Sequence, residues 1–318
     1  MVTRVSIVIL SYLFSHWGAS ASCSQSAVEA PKRPPSPRPF RNPIIRITNM
    51  VTRVRKKMLN SEPSSREHYI EQLGRLWEYT KVYPRNDKLS SHEVSIELDN
   101  DIGRGGYGMC IGGVFLGRFP VALKVLWDDK RVELNESSHG LRGSALVDHG
   151  KRRLYREVQV WKGFNHPSIL RFIGLYTQGD KTYMVSPYMQ NGNARVYAKK
   201  HPGMNCLRVL LQVAEGLEYL HGLSAVHGDI CANNILISAF GDACIADFGL
   251  SIVEGKSHPE CYSNSWHNGG HVRWKAPELL VDNDACRSTM SDMFSFGRLI
   301  LEASSPLFHR SPFIILTS

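Results

Sequence analysis

The hydrophobic and polar positions change period twice along the chain. Between Arg66 and Val82, Ile70, Leu73, Leu76 and Trp77 recur at helical spacing, which predicts an amphipathic helix over that stretch. Ser64 and Glu67 carry the spacing of a capping box at its start. Its expected role is to pack on the unit that follows; docking a partner is the alternative. From about Ser95 the pattern becomes short apolar runs divided by glycine turns: Val94 to Ile102, Cys110 to Leu116 and Val121 to Leu126. These read as strands of an antiparallel meander. Farther on, Val209, Leu210, Val213, Leu217 and Leu220 return to helical spacing between Arg208 and His221. A sheet-rich unit therefore precedes a helical one, an α+β arrangement.

The first 64 residues follow neither period. Arg4 precedes the apolar run Val5 to Leu13, and Ala19-Ser20-Ala21 supplies small residues after it, the outline of a signal peptide at 1–22. The run is short for a bilayer span. Six prolines between Pro31 and Pro43 then stiffen the chain. The formal charge of +9 concentrates here: Lys32, Arg33, Arg38, Arg41, Arg46, Arg53, Arg55, Lys56 and Lys57 follow one another with no acid between Glu29 and Glu62. Such a block repels itself, so 23–64 is expected to be an extended basic linker, with 65–94 as helix and connector. A solvated linker is the first reading; contact with anionic lipid, RNA or an import receptor is the second.

At 318 residues and 42% hydrophobic, the chain is long and apolar enough for one large core or two modest ones, which excludes disorder throughout. Its seven cysteines lack any C-x-x-C pair, so neither a disulfide framework nor a zinc site is signalled. They read as free thiols of a reducing compartment, in conflict with a secretory leader.

The chemistry lies downstream. Gly103, Gly105 and Gly108 have G-x-G-x-x-G spacing, which dinucleotide-binding folds also use. There, however, the turn opens a helix, whereas here it lies between two strands and is followed by Val121-Ala-Leu-Lys124. Arg156-Glu157-Val158, His166-Pro167, Tyr183 to Met189, His227 to Asn234, Ala246-Asp247-Phe248-Gly249, Ala276-Pro277-Glu278 and Ser291-Asp292 come next, in that order. The stretch 95–318 thereby resembles a eukaryotic protein kinase domain. Trp161 and Arg273-Trp274 give it the look of the serine/threonine group that is similar to tyrosine kinases.

The resemblance implies a two-lobed fold: a small lobe of antiparallel sheet with one helix, then a mainly helical lobe. It implies ATP and Mg2+ as cofactors and a protein substrate. Lys124 and Glu157 would clamp the phosphates, Asp229 would position the acceptor hydroxyl, and Asn234 and Asp247 would hold metal. Nucleotide contacts are implied for Gly103, Gly105, Gly108, Cys110, Ala122, Lys124, Ser186, Tyr188, Met189 and Leu236, with Ser186 at the mouth of a back pocket. Asp292 would tie down the catalytic loop, and Ser291 or Asp292 would cap the helix that begins there; both can hold at once. A monomer in the cytoplasm, where ATP is, without specific nucleic acid binding, is the matching expectation; the leader, if used, would direct the chain to the secretory pathway or a membrane.

Several positions depart from the pattern. Gly228 replaces an arginine that binds an activation-loop phosphate in many kinases. Cys231 stands where serine/threonine kinases carry lysine, Ala232 and Asn233 are where tyrosine kinases supply arginine, and His271 replaces a threonine. Slow transfer or a pseudokinase that only binds nucleotide is the alternative these imply. Cys231 reads as a small neutral replacement rather than a reactive thiol, because Asp229 beside it raises a thiol pKa. The stretch from Glu133 to Gly150 reads as an insertion. After Glu302 a kinase would continue through further helices, so a truncated kinase of low stability, with Glu278 partly buried and lacking its arginine, is also expected.

Overall fold

The computed structural model describes residues 43–84, 88–105, 108–126, 155–253, 269–282 and 285–304. The leader at 1–22, most of the proline-rich run and the insertion at 133–150 lie outside the described residues.

The first described element corrects the linker expectation. Residues Pro43–Asn60 form a helix, α1, followed by α2 at Pro63–Thr80. Ile47, Val51, Val54 and Met58 repeat every three or four residues and pack into one core with Leu73 and Trp77 of α2. Fully burying a side chain, as at Val51 and Met58, stabilises by about 1.5–3 kcal/mol each, which outweighs the repulsion of a basic run whose Arg53, Lys56 and Lys57 stay exposed. Arg55 turns inward. Its Nε donates to Glu93 Oε1 at 2.5 Å and its Nη2 donates to Glu93 Oε2 at 3.0 Å and to the Lys88 carbonyl at 2.7 Å. Glu93 also accepts from the Tyr83 hydroxyl and, at 2.7 Å, from the Ser90 N–H.

The predicted second helix is present, with different ends. Pro63 opens it after Glu62, whose side chain makes no cap. The fixed φ of proline starts the helix without an N–H to satisfy, so Ser64 and Glu67 fall inside it and form no capping box. Trp77, Tyr83 and Phe115 meet edge to face, with centroids 5.0–6.4 Å apart.

These helices cover a six-stranded sheet in the order β1-β5-β6-β4-β3-β2. Its strands are β1 (Lys88–Leu89), β2 (Val94–Gly105), β3 (Gly108–Phe115), β4 (Phe119–Leu126), β5 (Gly174–Gln178) and β6 (Lys181–Pro187). The β2-β3-β4 meander follows the sequence pattern; β1 pairs with β5 in parallel, so the sheet is mixed. Between β4 and β5 runs a helix, α3, described over 155–161.

The second unit is built on α4 (Ala194–Lys200) and α5 (Cys206–Gly222), the latter burying Val209, Leu210, Val213, Leu217 and Leu220 as its periodicity predicts. The short strands β7 (Ala225–Val226), β8 (Ile235–Ile237), β9 (Ala243–Ile245) and β10 (Ile252–Val253) lie beside it. Helices α6 (Glu278–Val281) and α7 (Thr289–Ser304) follow. Glu278 is exposed, which corrects the expectation of a partly buried carboxylate: it opens a four-residue helix at the surface and carries no burial cost. No helix among the described residues is long and apolar enough to cross a membrane.

The Arg55–Glu93 pair joins α1 to the sheet from within, and both side chains are at least nine-tenths buried. Removing one partner of such a pair costs about 3–5 kcal/mol. Glu93→Gln is expected to lower unfolding free energy by about 3 kcal/mol in urea titrations. Burial alone would raise the Glu93 pKa, but hydrogen bonds from Arg55, Tyr83 and Ser90 hold it below its ordinary 4.5. The folded state therefore binds its proton less readily than the unfolded one. This contribution is full above pH 4.5 and is lost as pH falls through the folded value, and Glu93→Gln should flatten that acid limb.

Candidate active site

The site forms where β4, α3 and the loops after β7 and β9 converge. Strand register places Lys124 of β4 opposite Met184 of β6, and Ala122 opposite Ser186. Lys124 Nζ donates to Glu157 Oε1 of α3 at 2.9 Å and to Asp247 Oδ1 at 2.8 Å. Glu157 is almost fully buried at 1% exposure, so its carboxylate needs the cation. Burial alone would lower the Lys124 pKa, but Asp247 and Glu157 together hold it above the ordinary range. Burial likewise pushes Asp247 up, and Lys124 reverses this to hold it low. Lys124 and Asp247 are thus both charged at neutral pH.

Asp247 has φ +67, a left-handed backbone uncommon outside glycine, asparagine and aspartate. The turn sends the carboxylate to Lys124 while Phe248, next in sequence, buries its ring against Trp161, Phe164 and His227 at centroid distances of 5.9, 5.2 and 5.2 Å. The turn that carries the acid thereby also locks α3, through Trp161, to the second unit.

Asp229 lies on the loop after β7. Its carboxylate accepts from Asn234 Nδ2 at 2.9 Å and from the His271 N–H at 3.0 Å. His271 Nδ1 stands 3.2 Å from both carboxylate oxygens. Asn234 also donates to the Asp229 carbonyl at 2.8 Å, which leaves its own Oδ1 for another partner, and the Ala246 N–H donates to the Asn234 carbonyl at 2.8 Å. Asn234 and Asp247 thus offer hard oxygen donors in the number Mg2+ takes from protein when phosphates supply the rest, so the residues fit that ion.

The loop is held from below by Asp292 of α7, which accepts from the His227 and Gly228 N–H groups, both at 2.8 Å, and faces His221 Nε2 at 3.0 Å. Of the two capping candidates it is Ser291, with Ser288, that makes the cap. Ser288 and Ser291 cap α7 by reciprocal N–H to hydroxyl bonds of 2.9 and 3.2 Å, and Asp292 is left for the loop.

Two residues gain a place that local sequence does not announce. Arg287, buried, donates from Nε to the Gly228 carbonyl at 3.0 Å and from Nη2 to the Gly269 carbonyl at 2.9 Å. Gly228 has φ +81, and a Cβ there would lie 2.5 Å from Arg287 Cδ; no side chain fits, so the missing loop arginine and this distant one are linked. His271 is the second. Its bond to Asp229, aided by Cys231 and opposed by burial, raises its pKa to about 10, so it is a cation at neutral pH. Burial pushes the Cys231 thiol up, and Asp229 adds to this. In sequence His271 showed only as a lost threonine; a partner about 40 residues away leaves no local pattern.

Of the nucleotide-contact residues expected from the sequence, Gly103, Gly105, Gly108, Cys110, Ala122 and Ser186 lie with Lys124 on the six-stranded sheet, Tyr188 and Met189 follow its strand β6, and Leu236 lies on the separate β8-β9 pair. Gly103 pairs with Cys110 and Gly105 with Gly108, so the glycines flank the β2-β3 turn, whose residues 106 and 107 lie outside the described set. Ser186 and Met189 are buried, and the Tyr188 N–H donates to the Pro120 carbonyl at 3.1 Å. Leu236 of β8 pairs with Cys244 and bridges Asn193.

A family model described as protein tyrosine and serine/threonine kinase matches residues 96–307. Rat tyrosine-protein kinase Fer is 28% identical over 226 residues, 70% of this chain and 25% of Fer. Human tyrosine-protein kinase Srms is 32% identical over 69% of this chain and 41% of its own length. A Dictyostelium discoideum protein named probable serine/threonine-protein kinase kinX is 30% identical over 66% of this chain and 18% of its own length. The chain spans less than half the length of these relatives.

The His271–Asp229 pair sets a pH dependence. The folded pKa of His271, about 10, exceeds its ordinary 6.5, so its contribution is full below pH 6.5 and is lost as pH rises through about 10. With the imidazole 39% exposed, solvent screening reduces the effect to about 1 kcal/mol. Unfolding free energy should therefore decline across this window, and His271→Gln should remove the decline.

Proposed function

Because this chain belongs to the protein tyrosine and serine/threonine kinase family, we propose that it transfers the γ-phosphoryl group of ATP to a protein hydroxyl. Its α+β, two-lobed fold is that family's. The reading rests on one observation, Lys124 held between Glu157 at 2.9 Å and Asp247 at 2.8 Å. Two of the three ammonium donors are taken by carboxylates that fix its position, and the third is left for a phosphate oxygen. Mg2+, held by Asn234 and Asp247, supplies neutralisation of the phosphate charge when bound.

Asp229 has the acceptor's place. A carboxylate offers about four lone-pair sites, and the bonds from Asn234 and His271 occupy most of them. What remains accepts the hydroxyl proton and orients the oxygen. The cationic His271 puts a positive charge next to this carboxylate, where Cys231 cannot, and so answers the lost lysine. Serine or threonine is the acceptor in this reading, since Asn233 rather than an arginine stands beside the loop. Tyrosine is the second reading, favoured by the similarity to the tyrosine-protein kinases Fer and Srms. The cytosol, where ATP is, is the compartment this reading takes.

The test is transfer from radiolabelled ATP to generic protein substrates, followed by phosphoamino-acid analysis of the product. Label on serine or threonine, lost in Asp247→Ala and reduced about 100-fold or more in Asp229→Asn, is the expected result. Label on tyrosine selects the second reading. ATP binding without transfer, in a folded protein, would leave a pseudokinase.

A further inference from the structure

The cysteine spacing signals no zinc site, yet folding brings three different ligand types together. Asp229 and Cys231 of the loop after β7 and His271 each offer one atom, and these atoms lie within 4.8 Å of one another. His271 Nδ1 is 3.4 Å from Cys231 Sγ and 3.2 Å from either oxygen of Asp229. In a tetrahedral zinc site, bonds of about 2.3 Å to sulfur and about 2.0–2.1 Å to nitrogen and oxygen place sulfur and nitrogen ~3.6 Å apart, and nitrogen and oxygen ~3.3 Å apart. The two edges at Nδ1 agree to within about 0.2 Å, and the sulfur–oxygen edge, ~3.6 Å in such a site, is within 4.8 Å.

We propose that Asp229, Cys231 and His271 form a three-ligand site for a borderline-soft divalent cation of the zinc class, with the fourth position left to water.

The surroundings supply what such a site needs. Asn233 Nδ2 lies 3.4 Å from His271 Nε2. Turning that carboxamide over presents its oxygen to an Nε2–H, which fixes the tautomer whose Nδ1 lone pair faces the metal. Gly270 leaves room, because a Cβ there would sit 3.0 Å from Asp229 Oδ1. Cys231 is fully buried, while His271 is 39% exposed, so the open side is the histidine's. Binding releases the thiol proton and the Nδ1 proton to solvent, and thiolate plus carboxylate then balance the ion's two charges. Thiolate and imidazole select against Mg2+, which keeps the site distinct from the oxygen donors of Asn234 and Asp247. If the kinase reading above holds, the cation takes the lone pairs that would receive the acceptor hydroxyl, and it blocks transfer.

The test reads binding alone, so it succeeds or fails separately from that reading. Untagged, metal-stripped full chain is titrated with Co2+, and thiolate-to-cobalt charge transfer is followed in the near ultraviolet, with tetrahedral bands in the visible. Expected are both absorptions, their loss on adding Zn2+, loss of the charge-transfer band in Cys231→Ser, and its retention in Cys244→Ser. Asn233→Ala, which removes only the outer partner of the histidine, should weaken Co2+ about 10- to 100-fold. Absence of charge transfer in the parent chain, or a band unchanged in Cys231→Ser, overturns the proposal. Should Cys231→Ser fail to fold by circular dichroism, unchanged affinity in Asn233→Ala overturns it instead.

Discussion

The ammonium of Lys124 is the constraint on which the site depends. It comes from β4, and its two acids come from α3 and from the loop after β9, so three separately folded pieces meet at one charge. Glu157 is buried, and an unpaired carboxylate there would cost several kcal/mol. The charge therefore penalises any rotation of α3 away from the sheet. Phe248 adds an apolar version of the same constraint, with its ring wedged among Trp161, Phe164 and His227. The backbone strain at Asp247 is what lets one turn satisfy both demands, carboxylate outward and ring inward.

The loop carrying Asp229 is fixed by a second set of contacts that does not involve Lys124. Asp292 takes its N–H groups from one side, and Arg287 takes the Gly228 carbonyl from the other. A glycine at 228 is what this arrangement requires, since the guanidinium stem fills the space a side chain would occupy. The departure that looked like a loss in the sequence is, in the fold, one half of an exchange.

How much of this was legible in the chain depends on the range of the interaction. The meander, α5 and the order of the chemical motifs follow from period and spacing, because strand alternation and helical repeat are local. The helix over Pro43–Asn60 was hidden by its charge. Self-repulsion in a basic run is real, but it is decided by whether an apolar stripe finds a surface and whether one inward arginine finds an acid, and Glu93 lies 38 residues from Arg55. The start of α2 was misread for a smaller reason: serine and glutamate at capping distance lose to a proline placed one residue earlier. His271 and Arg287 have no local signature at all, and their meaning appears only when the loop and the segment after 269 lie together.

In the proposed reading a histidine from another segment supplies the charge that a loop lysine would carry, and this changes more than the identity of the cation. A lysine at position 231 would bring its charge with the loop, whatever the neighbouring chain did. His271 brings it only when residues 269–271 lie against Asp229, held there by the Arg287 bond to the Gly269 carbonyl and by the His271 N–H on the carboxylate. The charge beside Asp229 is therefore conditional on the position of that segment. An imidazole also has a second chemical state, in which Nδ1 offers a lone pair instead of a proton. With Cys231 beside it, the same side chain that supplies the positive charge can, once deprotonated, join the thiolate in holding a metal, which a lysine and a threonine could not do.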